Sequence, residues 1–295
     1  MTIRPARADV SGSPRTTSDA ALSSLLRDYT AEVTSRDVDA AIESAPRGLE
    51  VFVANLPKDG NDLLVAACLR LREAGLVPVP HIVARKIADQ MELEDLLGRL
   101  AGEAGVDRVL SLGGDRDESA GPFGESLALI ESGVFDRNGV RHVSIACYPE
   151  GHPRIADPSL EIALRYKIAA ITKRGMQARL VSQFAFSPEP ILEFARGLRA
   201  SGVTTPLRIG VAGPAPRTTL VKYAMRCGVG ASLRALTERK SLIGGLFGGG
   251  ETPEDLLRAV AGQVADDPSL SIEGVHFFTF GAPAKSIEWA EGRIE

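Results

Sequence analysis

Polar side chains recur where this chain would ordinarily place apolar ones. Glu32 interrupts "TAEVTS", His81 interrupts "VPHIVA", and Gln183 interrupts "LVSQFAF". Asp115 ends the run "LSLGGD", and Tyr148, Glu150 and His152 crowd onto "YPEGHP". A buried polar group is costly without a partner, so each position asks for a partner or a ligand. The chemistry on offer is acid catalysis. A carboxylic acid donates a proton near neutral pH only when its pKa is raised, and burial between Ala31 and Val33 is expected to raise that of Glu32. Asp115 follows two glycines at an open turn, where it is expected to stay ionised and to stabilise a developing cation.

Each residue also has a plainer role. Glu32 would pair with a buried lysine, His81 with a carbonyl, and Asp115 would cap its turn. Gln183 would satisfy a strand edge, and "YPEGHP" would be only a proline corner. Together they favour a ligand site, provided that one framework brings them to one mouth.

The pattern of the chain supplies such a framework. Apolar runs near Tyr29–Val33, Leu49–Asn55, Val77–Ala84, Val106–Leu112, His142–Tyr148, Arg179–Phe186, Leu207–Val211 and Val275–Phe280 read as strands. Between them lie amphipathic stretches at Asp62–Ala74, Asp89–Ala104, Ser159–Thr172, Pro188–Ser201 and Thr218–Cys227. Gly75, Gly105 and Gly202 stand where left-handed helix caps belong. Strand and helix in alternation predict parallel pairing with helices outside. Eight such strands close naturally into a single (β/α)8 barrel, here over residues 21–295. An open doubly wound sheet would carry a glycine-rich turn after its first strand, and "YTAEVTSRD" has none. Residues 1–20 read as a flexible, disordered tail without the apolar core of a signal peptide. "LIGGLFGGGETPEDLL" reads as a loop before a helix capped by Thr252, with Pro253 at its first position.

Bulk properties narrow the class. A formal charge of −4 over 295 residues gives no basic surface for nucleic acid. No apolar run is long enough to span a bilayer. Cys68, Cys147 and Cys227 form no CxxC pair, which argues against a disulfide framework or a structural metal and fits the cytoplasm.

The segments "PHIVA", "LSLGGD", "SIACYPEGHP", "LVSQFAF" and "GVHFFTF", in this order, resemble the methylenetetrahydrofolate reductase family from about Asp28 to Phe280. "TAEVTSRD" aligns with that family's first strand and its essential glutamate. The resemblance implies a barrel that reduces 5,10-methylenetetrahydrofolate to 5-methyltetrahydrofolate. Glu32 would be the acid that opens the ring at N10, Asp115 would stabilise the 5-iminium cation, and Gln183 and Phe184 would hold the pterin. His81, Gly114, Tyr148, His152 and Lys167 fall on the cofactor side.

Departures from the family all fall on its flavin. The family's "RGD" reads Gly113, Gly114, Asp115; its strand-two threonine is Ala54; an arginine before Lys167 is Tyr166; and the tyrosine of "HFYT" is Phe278. A flavin diphosphate needs such donors. The expectation is therefore NAD(P)H as hydride donor, without tightly bound FAD. Three readings stay open: weak FAD binding through other contacts, direct reduction by NAD(P)H, or folate binding without reduction. A methyl-transfer or demethylation-pathway barrel is a further alternative. Arg217 and Lys222 are minor candidates for phosphate or for the glutamate tail. Oligomeric state and the choice between NADH and NADPH stay open.

Overall fold

The computed structural model describes residues 16–227, 229 and 252–294. Its strands are β1 (Thr30–Thr34), β2 (Glu50–Ala54), β3 (Val77–Val83), β4 (Arg108–Leu112), β5 (His142–Cys147), β6 (Gln177–Ala185), β7 (Leu207–Ala212) and β8 (Ile272–Phe278). All pair in parallel in sequence order, and β8 closes on β1 through Thr30↔His276 and Glu32↔Phe278. The result is the expected (β/α)8 barrel, with strand centres where the sequence placed them.

Helices among the described residues are α1 (Thr17–Leu26), α2 (Val38–Ser44), α3 (Asn61–Glu73), α4 (Gln90–Ala104), α5 (Ser126–Glu131), α6 (Val134–Arg137), α7 (Asp157–Lys173), α8 (Pro188–Ala200), α9 (Arg217–Cys227), α10 (Glu254–Asp266) and α11 (Pro283–Ile294). The glycines after α3, α4 and α8 have φ of 81°, 58° and 81°, as left-handed caps require.

Two expectations at helix starts are corrected. The tail was expected to run to residue 20, but α1 begins at Thr17. Thr16 Oγ1 accepts from the Asp19 amide at 3.2 Å, and Asp19 Oδ2 accepts from the Thr16 amide at 3.1 Å, a reciprocal cap. Leu22, Leu25 and Leu26 are then buried, contributing about 1.5–3 kcal/mol each. Residues 1–15 of the expected tail lie outside the described residues. The helix α10 is capped at Pro253, one residue later than the Thr252 cap expected, and most of the glycine-rich run before it lies outside the described residues.

Alternation along the strands divides the core into two. Val51, Val53, Val109 and Ile145 face the helices in the outer cluster. Phe52, Val79, Leu110 and Val181 form a separate plug inside the barrel. Residues two positions earlier on three of those strands share the inward face: Glu50, Arg108 and Arg179. Glu50 pairs with Arg108 and, at 2.8 Å, with Arg179. Burial pushes Glu50's pKa up, but Arg179, Arg208 and Arg108 outweigh it and hold the carboxyl below its ordinary value. This charged floor closes one end of the barrel. Two positions beyond the plug, the same face delivers Ala54, His81 and Leu112 to the other end, which is the site.

Candidate active site

At the carboxyl ends of the strands lies a cavity of about 1120 Å³. That exceeds the range of about 300–1,000 Å³ usual for a site holding one small ligand. Glu32, His81, Gly114, Asp115, Tyr148, His152 and Lys167 all line it. The expected acid, Glu32, and the expected cation-stabilising carboxylate, Asp115, thus open onto one space, one from β1 and one from the turn after β4.

Glu32 projects into the barrel on the face opposite Ala31 and Val33. Its neighbours are imidazoles rather than the lysine considered for it. His81 Nε2 lies 3.4 Å and His276 Nε2 3.5 Å from the same oxygen, Glu32 Oε2. Those are ion-pair distances at the outer limit of hydrogen bonding, and neither Nε2 has a hydrogen-bond partner among the described residues. Burial pushes the Glu32 pKa up, as expected. The attraction of the nearby His276 and His81 outweighs that push, so the carboxyl titrates below its ordinary value. The expectation of a raised pKa is therefore corrected: the acid is flanked by bases. Burial lowers the His81 pKa, against the pull of Glu32 and with the repulsion of His276.

Sequence reasoning missed His276, although it lay inside a quoted motif. It is fully buried, with Phe52 edge-on at 4.6 Å and Phe278 at 4.9 Å between ring centroids. Its signal was the one that flagged His81: an imidazole within an apolar strand.

Asp115 is exposed on the turn after β4. Gly114 before it has φ of 100°, and a Cβ there would lie 2.6 Å from Val83 Cγ1. The turn is held from outside by Arg85. Its Nε donates to Gly124 O at 2.9 Å and its Nη1 to Arg116 O at 2.7 Å, while its amide donates to Gly113 O.

The "YPEGHP" stretch is a built turn rather than a bare corner. Gly151, at φ 77°, donates to Tyr148 O at 3.0 Å. His152 Nδ1 accepts from the Arg154 amide at 3.2 Å, and the Tyr148 and His152 rings meet edge-to-face at 5.0 Å. Accepting at Nδ1 leaves Nε2 as the N–H of a neutral ring. Burial pushes the Tyr148 hydroxyl up to about 12, so it is a hydrogen-bond donor at neutral pH.

Gln183 and Phe184 are not among the residues lining the cavity. The β6–β7 pairing shifts register between Val181 and Phe184, and such irregularities re-aim side chains. Ser182 Oγ accepts from the Gly210 amide at 2.8 Å, and Gln183 Oε1 accepts from the Phe184 amide at 3.0 Å. Phe184 is buried among Phe186, Phe278 and Phe280, with centroids 5.3–5.7 Å away. Arg217 opens α9 and Lys222 sits midway along it; both lie outside the cavity lining.

The cations around the mouth differ in availability. Lys86 Nζ is held by Asn55 Oδ1, by Leu56 O at 2.6 Å and by Asp59 O at 2.9 Å. Arg154 pairs with Asp117 at 3.0 Å. Lys167 is half-buried on α7; burial lowers its pKa and Glu125 opposes the shift. Among the described residues, no three His, Cys, Asp or Glu side chains converge with metal-binding geometry. No helix among them is long and apolar enough to cross a membrane. No protein-family model matches the chain.

Proposed function

We propose that this barrel reduces 5,10-methylenetetrahydrofolate to 5-methyltetrahydrofolate with NAD(P)H. The observation that supports the reading most is the shared cavity of Glu32 and Asp115, reached from different strands. The reaction needs one proton and one hydride. A proton passes from Glu32 to N10 as the bond between N10 and the bridging carbon breaks, its electron pair staying on nitrogen. The resulting 5-iminium cation faces the Asp115 carboxylate, which stabilises it electrostatically. Hydride from the nicotinamide then adds to the exocyclic carbon. Because Glu32 rests ionised, the proton it gives must first reach Oε2, and His276 is the imidazole placed to deliver it.

A resident FAD fits this mouth poorly. Its diphosphate needs several donors, but Lys86 and Arg85 are already engaged by backbone carbonyls and Arg154 by Asp117. Lys167 and Arg116 are the lining cations left to meet a phosphate. A dissociable nucleotide needs fewer such contacts than a permanently held flavin. Tyr148 and His152, with N–H and O–H donors on a fixed turn, would orient it.

Anaerobic turnover with NADH and with NADPH, each with and without added FAD, tests the reading. The expected result is a colourless protein that oxidises reduced nicotinamide only when methylenetetrahydrofolate is present. Folate binding without oxidation would replace this reading with a binding or carrier role. A flavin spectrum in the purified protein would restore the flavin route.

A further inference from the structure

Behind Glu32 the structure has a second layer. His276 Nδ1 lies 2.8 Å from Thr30 Oγ1, and the Thr30 hydroxyl lies 3.4 Å from Val275 O. A hydroxyl has one hydrogen to give. When that hydrogen goes to the carbonyl, the Thr30 oxygen accepts from His276 Nδ1–H, so the Nδ1–H ring is the form that satisfies both contacts. The atom facing Glu32 is then Nε2, which carries a lone pair in the neutral ring and a proton in the cation. Thr30 and His276 are cross-strand partners where β8 closes on β1, so ring closure itself sets the contact.

We propose that Thr30 and His276 are positioning residues that hold one proton at the back of Glu32 and aim it at Glu32 Oε2. The assignment rests on the reading of Glu32 as proton donor. The proton sits between His276 Nε2 and Glu32 Oε2. It moves onto the Glu32 carboxylate and from there to the substrate nitrogen, whose freed electron pair receives it, leaving Glu32 ionised again. Solvent restores the proton after turnover. The ionisable groups acting on Glu32 are His276 from β8 and His81 from β3. Phe52 from β2, Phe278 from β8 and the Gly210 backbone from β7 complete the surroundings of His276 and bring no charge. Neutral, apolar walls keep the proton on the pair.

The test compares Thr30→Val, which keeps the shape and removes the acceptor, with Thr30→Ser, which keeps it. Nitrogen-15 NMR of labelled histidine reads the His276 tautomer without any substrate. The expected result is the Nδ1–H form in the wild type and in Thr30→Ser, lost in Thr30→Val. In turnover, Thr30→Val is expected to lower kcat by at least roughly tenfold, since positioned acid catalysis supplies about 10²–10⁴-fold. The KM for folate should stay unchanged and the pH profile of kcat should move; Thr30→Ser should restore both. An Nε2–H tautomer in the wild type, or equal behaviour of the two variants, would overturn the assignment. Should the wild type oxidise no nicotinamide, the proposed reaction fails while the tautomer measurement still decides the Thr30–His276 contact.

Discussion

Replacing Gly114 by alanine separates two costs that the structure keeps distinct. The backbone there has φ of 100°, which L-residues avoid at a cost of about 1–2 kcal/mol. The new Cβ would also lie 2.6 Å from Val83 Cγ1. Valine is stiff at χ1 and Val83 is buried at the end of β3, so the clash is not relieved by a rotamer change. Overpacking of this kind adds about 1–3 kcal/mol. Gly114→Ala should therefore cost about 2–5 kcal/mol in all, or shift the turn that carries Asp115. Gly139→Ala is the control: φ is 78°, nothing lies within 4 Å of its Cβ, and it sits before β5 at the far end of the barrel. It should cost only about 1–2 kcal/mol and leave turnover intact. Urea unfolding midpoints measure the stabilities. Turnover of the folded Gly114→Ala protein should fall on the order of a hundredfold if Asp115 moves by about 1 Å. Equal destabilisation by both variants, or full activity in Gly114→Ala, would refute both the close approach to Val83 and the role given to Asp115.

Acidification should weaken the fold partly through His81. Its folded pKa is lowered by burial, so the unfolded chain binds more protons from its ordinary value of about 6.5 down to the folded one. Stability is therefore lost as pH falls through that window, and His81→Gln should flatten the curve there; an unchanged slope in urea midpoints argues against a buried neutral imidazole. Thr16→Ala removes one acceptor of the α1 cap and should cost about 1 kcal/mol, read as a lower unfolding midpoint with turnover unaffected. Lys167→Met should raise the KM for the nicotinamide nucleotide about tenfold with little change in kcat, the mark of lost uniform binding; an unchanged KM would remove Lys167 from the phosphate site. Direct hydride transfer requires both substrates bound together, so initial-rate plots should intersect, whereas parallel lines would indicate a carrier reduced in a separate step.

The barrel was legible because each strand is a short Val- and Ile-rich run ended by glycine, proline or a helix cap, all local signals. Glu32 and His81 were legible because a polar residue within an apolar strand stands out without knowledge of its neighbours, and Asp115 because it follows the paired glycines that end one. What those residues meet was not legible. The pairing of Thr30 with His276 spans nearly the whole chain and exists only after β8 closes on β1. For the same reason Glu32 read as an acid raised by burial, when two histidines from distant strands pull the other way. The β6 irregularity that leaves Phe184 in an aromatic cluster depends on the match to β7, which periodicity within β6 does not report. The start of α1 was hidden by the Arg-, Ser- and Thr-rich composition before it, although Thr16 and Asp19 carry the spacing of a reciprocal cap.

The two ends of the barrel follow from one alternation used twice. On β2 the inward face reads Glu50, Phe52, Ala54, so a charged floor, an apolar plug and an open mouth come from successive inward positions of a single strand. The floor pairs its carboxylate with fixed charges: Glu50 faces Arg108 and Arg179, and the plug above it separates that network from the cavity. The mouth does not. Glu32, His81 and His276 bring one acid and two bases to within 3.5 Å, with no guanidinium or ammonium among the described residues to settle the charge. An ion pair built for stability would have used arginine, whose charge never titrates, as the floor does. Three titratable groups around one oxygen, beside a cavity, instead make the proton itself the mobile element.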